Sequence, residues 1–321
     1  MSEDWRPLTS RPALELRANM LGATRAFFAQ RAVLEVQTPI LSAAAITDPQ
    51  IESLSTRITG HSRPFYLNTS PEFAMKRLLA AGSGDIYQIC RVFRDGEQGR
   101  WHEPEFTMLE WYRTGFDDHA LMDEVAALLS AILPAGTLRE PPEKLTYRDA
   151  LLRHAQVDSA TDDVAALAAA ARRLGVGYEG ELDRDGHLDL LMSSGGRSPP
   201  RRGRACFICD YPASQAALAR LKPGPPPVAA RFELYLEGIE LANGFHELTD
   251  AAEQRRRFEQ ELSVRERRGQ ALPPVDERLL GALAAGVPEC AGVALGFDRL
   301  VAVAMGAPGL APAISFGISN A

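Results

Sequence analysis

Between residues 12 and 30, apolar side chains recur at Leu14, Ala18, Leu21 and Phe28, and again at Leu16, Met20 and Phe27. That is the spacing of a helix with a wide buried stripe. The pattern then changes character. Val33-Leu34-Glu35-Val36-Gln37-Thr38-Pro39-Ile40 predicts a strand ended by proline, which cannot donate to a ladder. Helix, strand and Pro39 read as one unit. Residues 85–94 and 105–113 are rich in Ile, Tyr, Val, Phe and Trp, and the stretch between them, 95–100, is polar and glycine-bearing. Two strands joined by a long loop into an antiparallel hairpin are expected.

Farther along, residues 118–132 and the Ala-rich 161–174 predict helices that decorate a core, with a proline-rich connection over 134–145. The hydrophobic pattern vanishes over 195–204, which predicts an exposed flexible loop carrying several positive charges, either a contact patch or simply solvated. Residues 232–236 and 239–243 predict strands about a Glu237-Gly238 turn. A polar helix is expected over 251–268, and a glycine-broken strand running into an apolar helix over 292–304. Several antiparallel strands with helices around them indicate an α+β fold, an antiparallel β-sheet flanked by helices.

Composition adds limits. The 321 residues, 45% hydrophobic and 24% charged, suffice for one elaborated domain. The N-terminus does not read as a signal peptide, and apolar runs are broken well short of the ~20 residues that span a bilayer, so a soluble, cytoplasmic protein without membrane partners is expected. The net charge of −7 points away from a long nucleic-acid partner such as tRNA, whose phosphates are usually gripped by a basic face. Of the four cysteines, only Cys206-Phe-Ile-Cys209 has metal-like or redox-like spacing, and without a second pair it reads as two small side chains of a buried strand.

Three separated segments carry chemistry suited to activating a carboxylate with ATP. Arg94 ends one hairpin strand and Arg100-Trp101-His102 lies on the facing loop, and fixed guanidinium groups stabilise charge developing at a phosphate under in-line attack. Glu240 and Glu247 bracket Leu241-Ala242-Asn243-Gly244-Phe245-His246, and carboxylates hold Mg²⁺ across phosphates. Their opposite strand parity requires a bulge before both can face one site, and Asn243-Gly244 is the expected break. Gly292-Val293-Ala294-Leu295-Gly296-Phe297-Asp298-Arg299-Leu300 lets backbone approach a ligand at its glycines, then presents an arginine at a helix start.

In that order, helix-strand-Pro39, Phe93-Arg94 with the loop to Glu105-Phe106, and Gly296-Phe297-Asp298-Arg299 resemble the three signature motifs of class II aminoacyl-tRNA synthetases. The lysyl branch is nearest, on Thr69-Ser70-Pro71-Glu72 with Lys76-Arg77-Leu78-Leu79, on residues 100–112, and on residues 240–248. Residues 1–13 would be an N-terminal extension and 14–321 the catalytic domain, without the anticodon-binding OB domain of lysyl-tRNA synthetases. With residues 211–216 and 238–250, that arrangement is similar to the elongation factor P lysine ligase family.

The resemblance implies an adenylate of (R)-β-lysine, or less efficiently α-lysine, transferred to a lysine ε-amine of elongation factor P by a homodimeric enzyme using ATP and Mg²⁺. It implies that Arg94 and Arg299 are catalytic, with Arg94 on the α-phosphate. Asp95, His102 and Glu103 would lie near the nucleotide, adenine would stack between Phe106 and Arg299, and Leu241 and Gly296 would line the ATP site with backbone. Glu240 and Glu247 would bind Mg²⁺. Ser70, Pro71, Glu72, Tyr112, Asn243 and Glu247 would form the amino-acid pocket, with Ala294 at its wall.

Departures stand beside the match. Ser70 and Ala294 replace the Ala and Gly typical of lysyl-tRNA synthetases, and the Ala294 methyl would crowd an α-amino group while tolerating a β-amino one. Asp95-Gly96 replaces the usual Asn-Glu after Arg94, Glu103 stands where Asn is usual, and residues 195–204 do not follow the family pattern. The competing readings are a truncated lysyl-tRNA synthetase that charges tRNA or another small acceptor, and an adenylate-binding regulator without turnover.

Overall fold

The N-terminal amphipathic run folds as the helix Arg11–Ala29, started by Ser10, whose hydroxyl accepts the Ala13 N–H, with a proline in its first turn. It buries Ala13, Met20, Thr24, Phe27 and Phe28, while Leu14 on the other side of the stripe remains 43% exposed. A computed structural model describes residues 5–178, 180–196 and 203–321. The chain divides into two compact units, Met1–Phe116 with Ala131–Leu133 and Leu248–Ala321, and Asp117–Ser130 with Pro134–Glu247.

In the first unit the hairpin is as predicted: Ile86–Phe93 pairs antiparallel with Glu105–Thr114 in an unbroken register from Ile86↔Tyr112 to Phe93↔Glu105. Cys290–Gly296 pairs antiparallel with the far side of Glu105–Thr114. Strand alternation gives this sheet two different faces. One carries Tyr87 and Trp111, against which Phe28 stacks at 4.4 Å and packs edge-on at 5.4 Å. The N-terminal helix therefore covers that face. By parity, Phe106, Met108, Glu110 and Tyr112 belong to the opposite face, together with Gly292, Ala294 and Gly296 on the neighbouring strand.

The expected strand over residues 33–40 is corrected. Only Leu34–Glu35 pairs, parallel to Ile86–Tyr87, and Leu41–Ser42 joins a separate three-stranded sheet with Phe65–Leu67 and Ser55–Thr56. Pro39 lacks an N–H and stands between the two ladders. Helices Glu72–Ala80, Ala251–Arg267, Glu277–Gly286 and Phe297–Ala304 complete this unit. Asp298, in the first turn of the last of these, accepts the Thr107 N–H at 2.7 Å and pairs with Arg17 at 2.6 Å, tying three elements together in the interior.

The second unit has Ile239–His246, Val228–Leu236 and Ala205–Pro212 as successive antiparallel neighbours, with Leu221–Lys222 also on Val228–Leu236. Glu237 and Gly238 both have positive φ, 55° and 79°, as a two-residue hairpin turn requires. The predicted helices appear as Asp118–Ile132 and Val164–Arg173, joined by Tyr147–Ala155 and Arg184–Leu191. The connection expected over 134–145 ends in a strand, Glu143–Thr146, parallel to Cys206–Cys209. Cys206 and Cys209 are buried in Ala205–Pro212, and burial pushes both thiols up to about 12. Within the stretch 195–204, residues 197–202 lie outside the described residues, and Arg204 pairs with Glu140 at 3.6 Å. The architecture is α+β, antiparallel except where its short parallel pairings occur.

Candidate active site

Arg94 follows directly on Ile86–Phe93, and its N–H closes the hairpin loop onto the Pro104 carbonyl at 2.9 Å. Its guanidinium lies 5.2 Å from the Phe106 ring and 3.5 Å from Glu97. The Nε is buried without a hydrogen-bond partner among the described residues. A buried, unsatisfied charged donor is costly unless an anion completes it, which suits a phosphate site. His102 lies close enough to Arg299 and Arg94 for both to act on it. Burial first, then Arg299, hold its pKa below the usual imidazole value, so it is neutral at pH 7. Arg299 is aimed by its Nε–H donating to the Trp101 carbonyl at 3.0 Å. Phe106 carries the Arg94 guanidinium over its ring. At Gly296 an added Cβ would meet only the Arg299 side chain, at 3.8 Å, so packing does not require glycine there.

The two departures in this loop have structural accounts. Gly96 takes a φ of +75° and Asp95 turns back to accept the Gly96 N–H, which leaves Glu97 as the carboxylate that meets Arg94. The Asp95 N–H donates to the Glu52 carbonyl. Glu52 belongs to a loop clamped by the buried Arg265, which donates to the Thr47, Asp48 and Ile51 carbonyls and to the Glu52 carboxylate. The Glu103 carboxylate accepts the Ile318 N–H at 3.0 Å and so holds the C-terminal segment.

Beside this region lies a polar cluster in an apolar wall. Ser70 Oγ and Tyr112 Oη donate to the two oxygens of Glu110 at 2.8 and 2.7 Å, and Ser70 Oγ accepts the Glu72 N–H at 3.0 Å. Pro71 is buried at the start of the helix Glu72–Ala80, where Lys76 Nζ donates to Glu72 at 2.6 Å. Ala294 is the cross-strand partner of Glu110 and shares its face. Glu110 is 2% exposed. Burial, then the Glu72 charge, raise its pKa to about 7, against the pull of Tyr112, Ser70 and Lys76. Ser70, Glu72, Tyr112 and Ala294 thus gather around a carboxylate that sequence reasoning missed. The signal was present: an acidic residue inside the apolar strand run 106–112, two positions before Tyr112 and so on its face.

In the second unit the expected bulge exists but is displaced. Leu234 pairs with Ala242 and Tyr235 with Glu240, so the extra residue is Leu241, not Asn243-Gly244. Cross-strand register, set by the tight Glu237-Gly238 turn, decides the position. Removing Leu241 from the count brings Glu240, Asn243 and Glu247 to one parity, as two carboxylates serving one ligand require. On the neighbouring strand, Arg231 donates to Asn243 at 3.2 Å and to Glu233 at 2.6 Å, and the Tyr235 hydroxyl also donates to Glu233. Burial opposes the Arg231 charge, but Glu233, Tyr211 and Glu240 outweigh it and raise its pKa. Arg231 and Glu233 were not anticipated, because their spacing is that of an ordinary strand.

Glu247 is 1% exposed, and its carbonyl accepts from Arg220. Among the described residues no group of three or more His, Cys, Asp or Glu forms a metal cage. A carboxylate pair fits Mg²⁺, which keeps waters and takes phosphate oxygens as its other ligands. Leu241, expected to present backbone to the nucleotide, is the bulged residue itself, where the ladder is locally broken.

The family model of tRNA synthetases class II (D, K and N) matches residues 3–320. The chain is 49% identical to the elongation factor P–(R)-beta-lysine ligase of Salmonella typhi, over 99% of this chain and 98% of that protein. The ligases of the same description from Salmonella dublin and Salmonella paratyphi B are 48% identical, with the same coverage.

Proposed function

The chain belongs to the class II tRNA synthetases of the D, K and N group, and from that premise we propose that it activates (R)-β-lysine, or α-lysine, with ATP and transfers it to a lysine ε-amine of elongation factor P. Residues 14–321 act as its catalytic domain. The observation that carries the amino-acid assignment is Glu110, a buried carboxylate flanked by Glu72 and by two hydroxyls. A lysine-type ammonium entering there gains charge-assisted partners and neutralises a carboxylate that is otherwise costly to ionise.

In the first half-reaction the substrate carboxylate attacks the α-phosphorus, the P–O bond to pyrophosphate breaks, and Arg94 with Arg299 stabilises the developing charge. Mg²⁺, held by Glu240 and Glu247, neutralises phosphate charge when bound. In the second, the acceptor amine attacks the adenylate carbonyl and AMP leaves with the bonding electron pair. Intact-mass measurement of elongation factor P incubated with the protein, ATP and (R)-β-lysine should show one added β-lysyl group. An unmodified factor alongside lysyl-tRNA formation would reverse the assignment.

Ala294 supports selection of the amino-group position, because it stands directly across from Glu110. Ala294→Gly is expected to raise kcat/KM for α-lysine relative to β-lysine about tenfold, the ~1.4 kcal/mol of one methyl-sized contact. An unchanged ratio would show that Ala294 only packs its strand.

The working form proposed is a cytoplasmic homodimer. Leu14 on the N-terminal helix and Leu34 on the edge strand are 43% and 56% exposed, and an open apolar sheet edge favours pairing with a second copy. Sedimentation should give a dimer at micromolar concentration and a monomer for Leu14→Glu/Leu34→Glu; a wild-type monomer would end this proposal.

A further inference from the structure

A cavity of about 440 Å³ opens in the first unit, with Ser70 and Glu72 in its wall. It therefore adjoins the proposed ammonium pocket, and its size falls within the ~300–1,000 Å³ usual for ligand sites. Three arginines, Arg63, Arg77 and Arg278, also line it, and all three are exposed. None forms an ion pair among the described residues, although acids are near. Those acids are committed elsewhere: Glu72 to Lys76, Glu277 to Arg255, and Asp276 to the N–H groups of Arg278 and Leu279 at its helix start. The cavity thus has three arginines without an ion pair among the described residues, against one carboxylate, Asp276, whose partners are neutral N–H groups, in a chain whose net charge is −7.

We infer that this cavity is the acceptor's entrance, and that Arg63, Arg77 and Arg278 dock acidic side chains flanking the acceptor lysine. The inference rests on the function proposed above and names the surface that it uses. An acidic partner is repelled by most of a net-negative molecule, so a local cationic rim decides where it lands and how fast. The same field favours the neutral form of an incoming amine, the form that attacks the adenylate carbonyl. As the N–C bond forms and the C–O bond to AMP breaks, the amine's remaining surplus proton passes to solvent. Three cations around a cavity suit a protein segment rather than tRNA, whose grip requires many phosphate contacts.

The test is charge reversal, with Arg63→Glu, Arg77→Glu and Arg278→Glu made singly and together in the full chain. Lysine-dependent ATP–pyrophosphate exchange should stay within about twofold of wild type, which also shows that the variants are folded. In the triple variant, kcat/KM for transfer to elongation factor P should fall at least about tenfold, the lower end of electrostatic steering. The wild-type transfer rate should drop with added salt, and the variant's should be nearly flat. Transfer unaffected by the reversals overturns the inference, as does exchange that falls in parallel with transfer. Reversals that impair tRNA charging while transfer to protein stays intact also overturn it. A wild-type protein that leaves elongation factor P unmodified fails the functional assignment itself, and that is seen before any variant is made.

Discussion

Arg94→Ala is expected to cut lysine-dependent ATP–pyrophosphate exchange by roughly 10²–10³-fold, the loss typical when one preorganised charge-stabilising donor is removed. Its backbone closes the hairpin loop through Pro104, and that bond survives the substitution. What disappears is a guanidinium against Phe106 with a buried, unsatisfied Nε–H, a donor that gains its partner when phosphate binds. Arg94→Lys separates charge from geometry: an ammonium retains the positive charge but not the planar fork, so recovery should be partial. Exchange at wild-type rate in Arg94→Ala would remove this residue from the chemistry. A loss accompanied by a lowered Tm in both variants would make it structural.

Glu240→Gln and Glu247→Gln should each lower exchange by about 10²-fold or more, because an amide supplies no charge to hold Mg²⁺ against phosphate, an effect worth several kcal/mol. Glu240 lies beside the buried Arg231, whose positive charge it helps to balance along with Glu233, so Glu240→Gln should also reduce Tm. Raising Mg²⁺ should partly restore exchange in both. Wild-type exchange in both variants at ordinary Mg²⁺ would sink the metal assignment.

Much of this was legible along the chain, because its causes are local. The helix Arg11–Ala29 follows from apolar spacing and a serine-proline start. The hairpin Ile86–Phe93/Glu105–Thr114 follows from two β-rich runs, and the turn at Glu237-Gly238 from its glycine, which takes positive φ without a Cβ clash. Motif order sufficed to bring out Arg94, Glu240, Glu247 and Arg299 as candidates, and parity alone required a bulge between the two glutamates.

Tertiary structure decided what depends on neighbours distant in sequence. The bulge fell on Leu241 because the register with Val228–Leu236 is counted from the turn, and no single residue of Ile239–His246 announces it. Of the run 33–40 only Leu34–Glu35 joined a sheet, on Ile86–Tyr87, and the strand that Phe65–Leu67 claimed, Leu41–Ser42, begins beyond it. Glu103 acquired a partner more than two hundred residues away, at Ile318. Glu110 shows the division most clearly. Its face could be read from alternation, but its raised pKa arises from burial and from the nearby Glu72 charge, and desolvation and Coulomb energy depend on distances that folding alone creates.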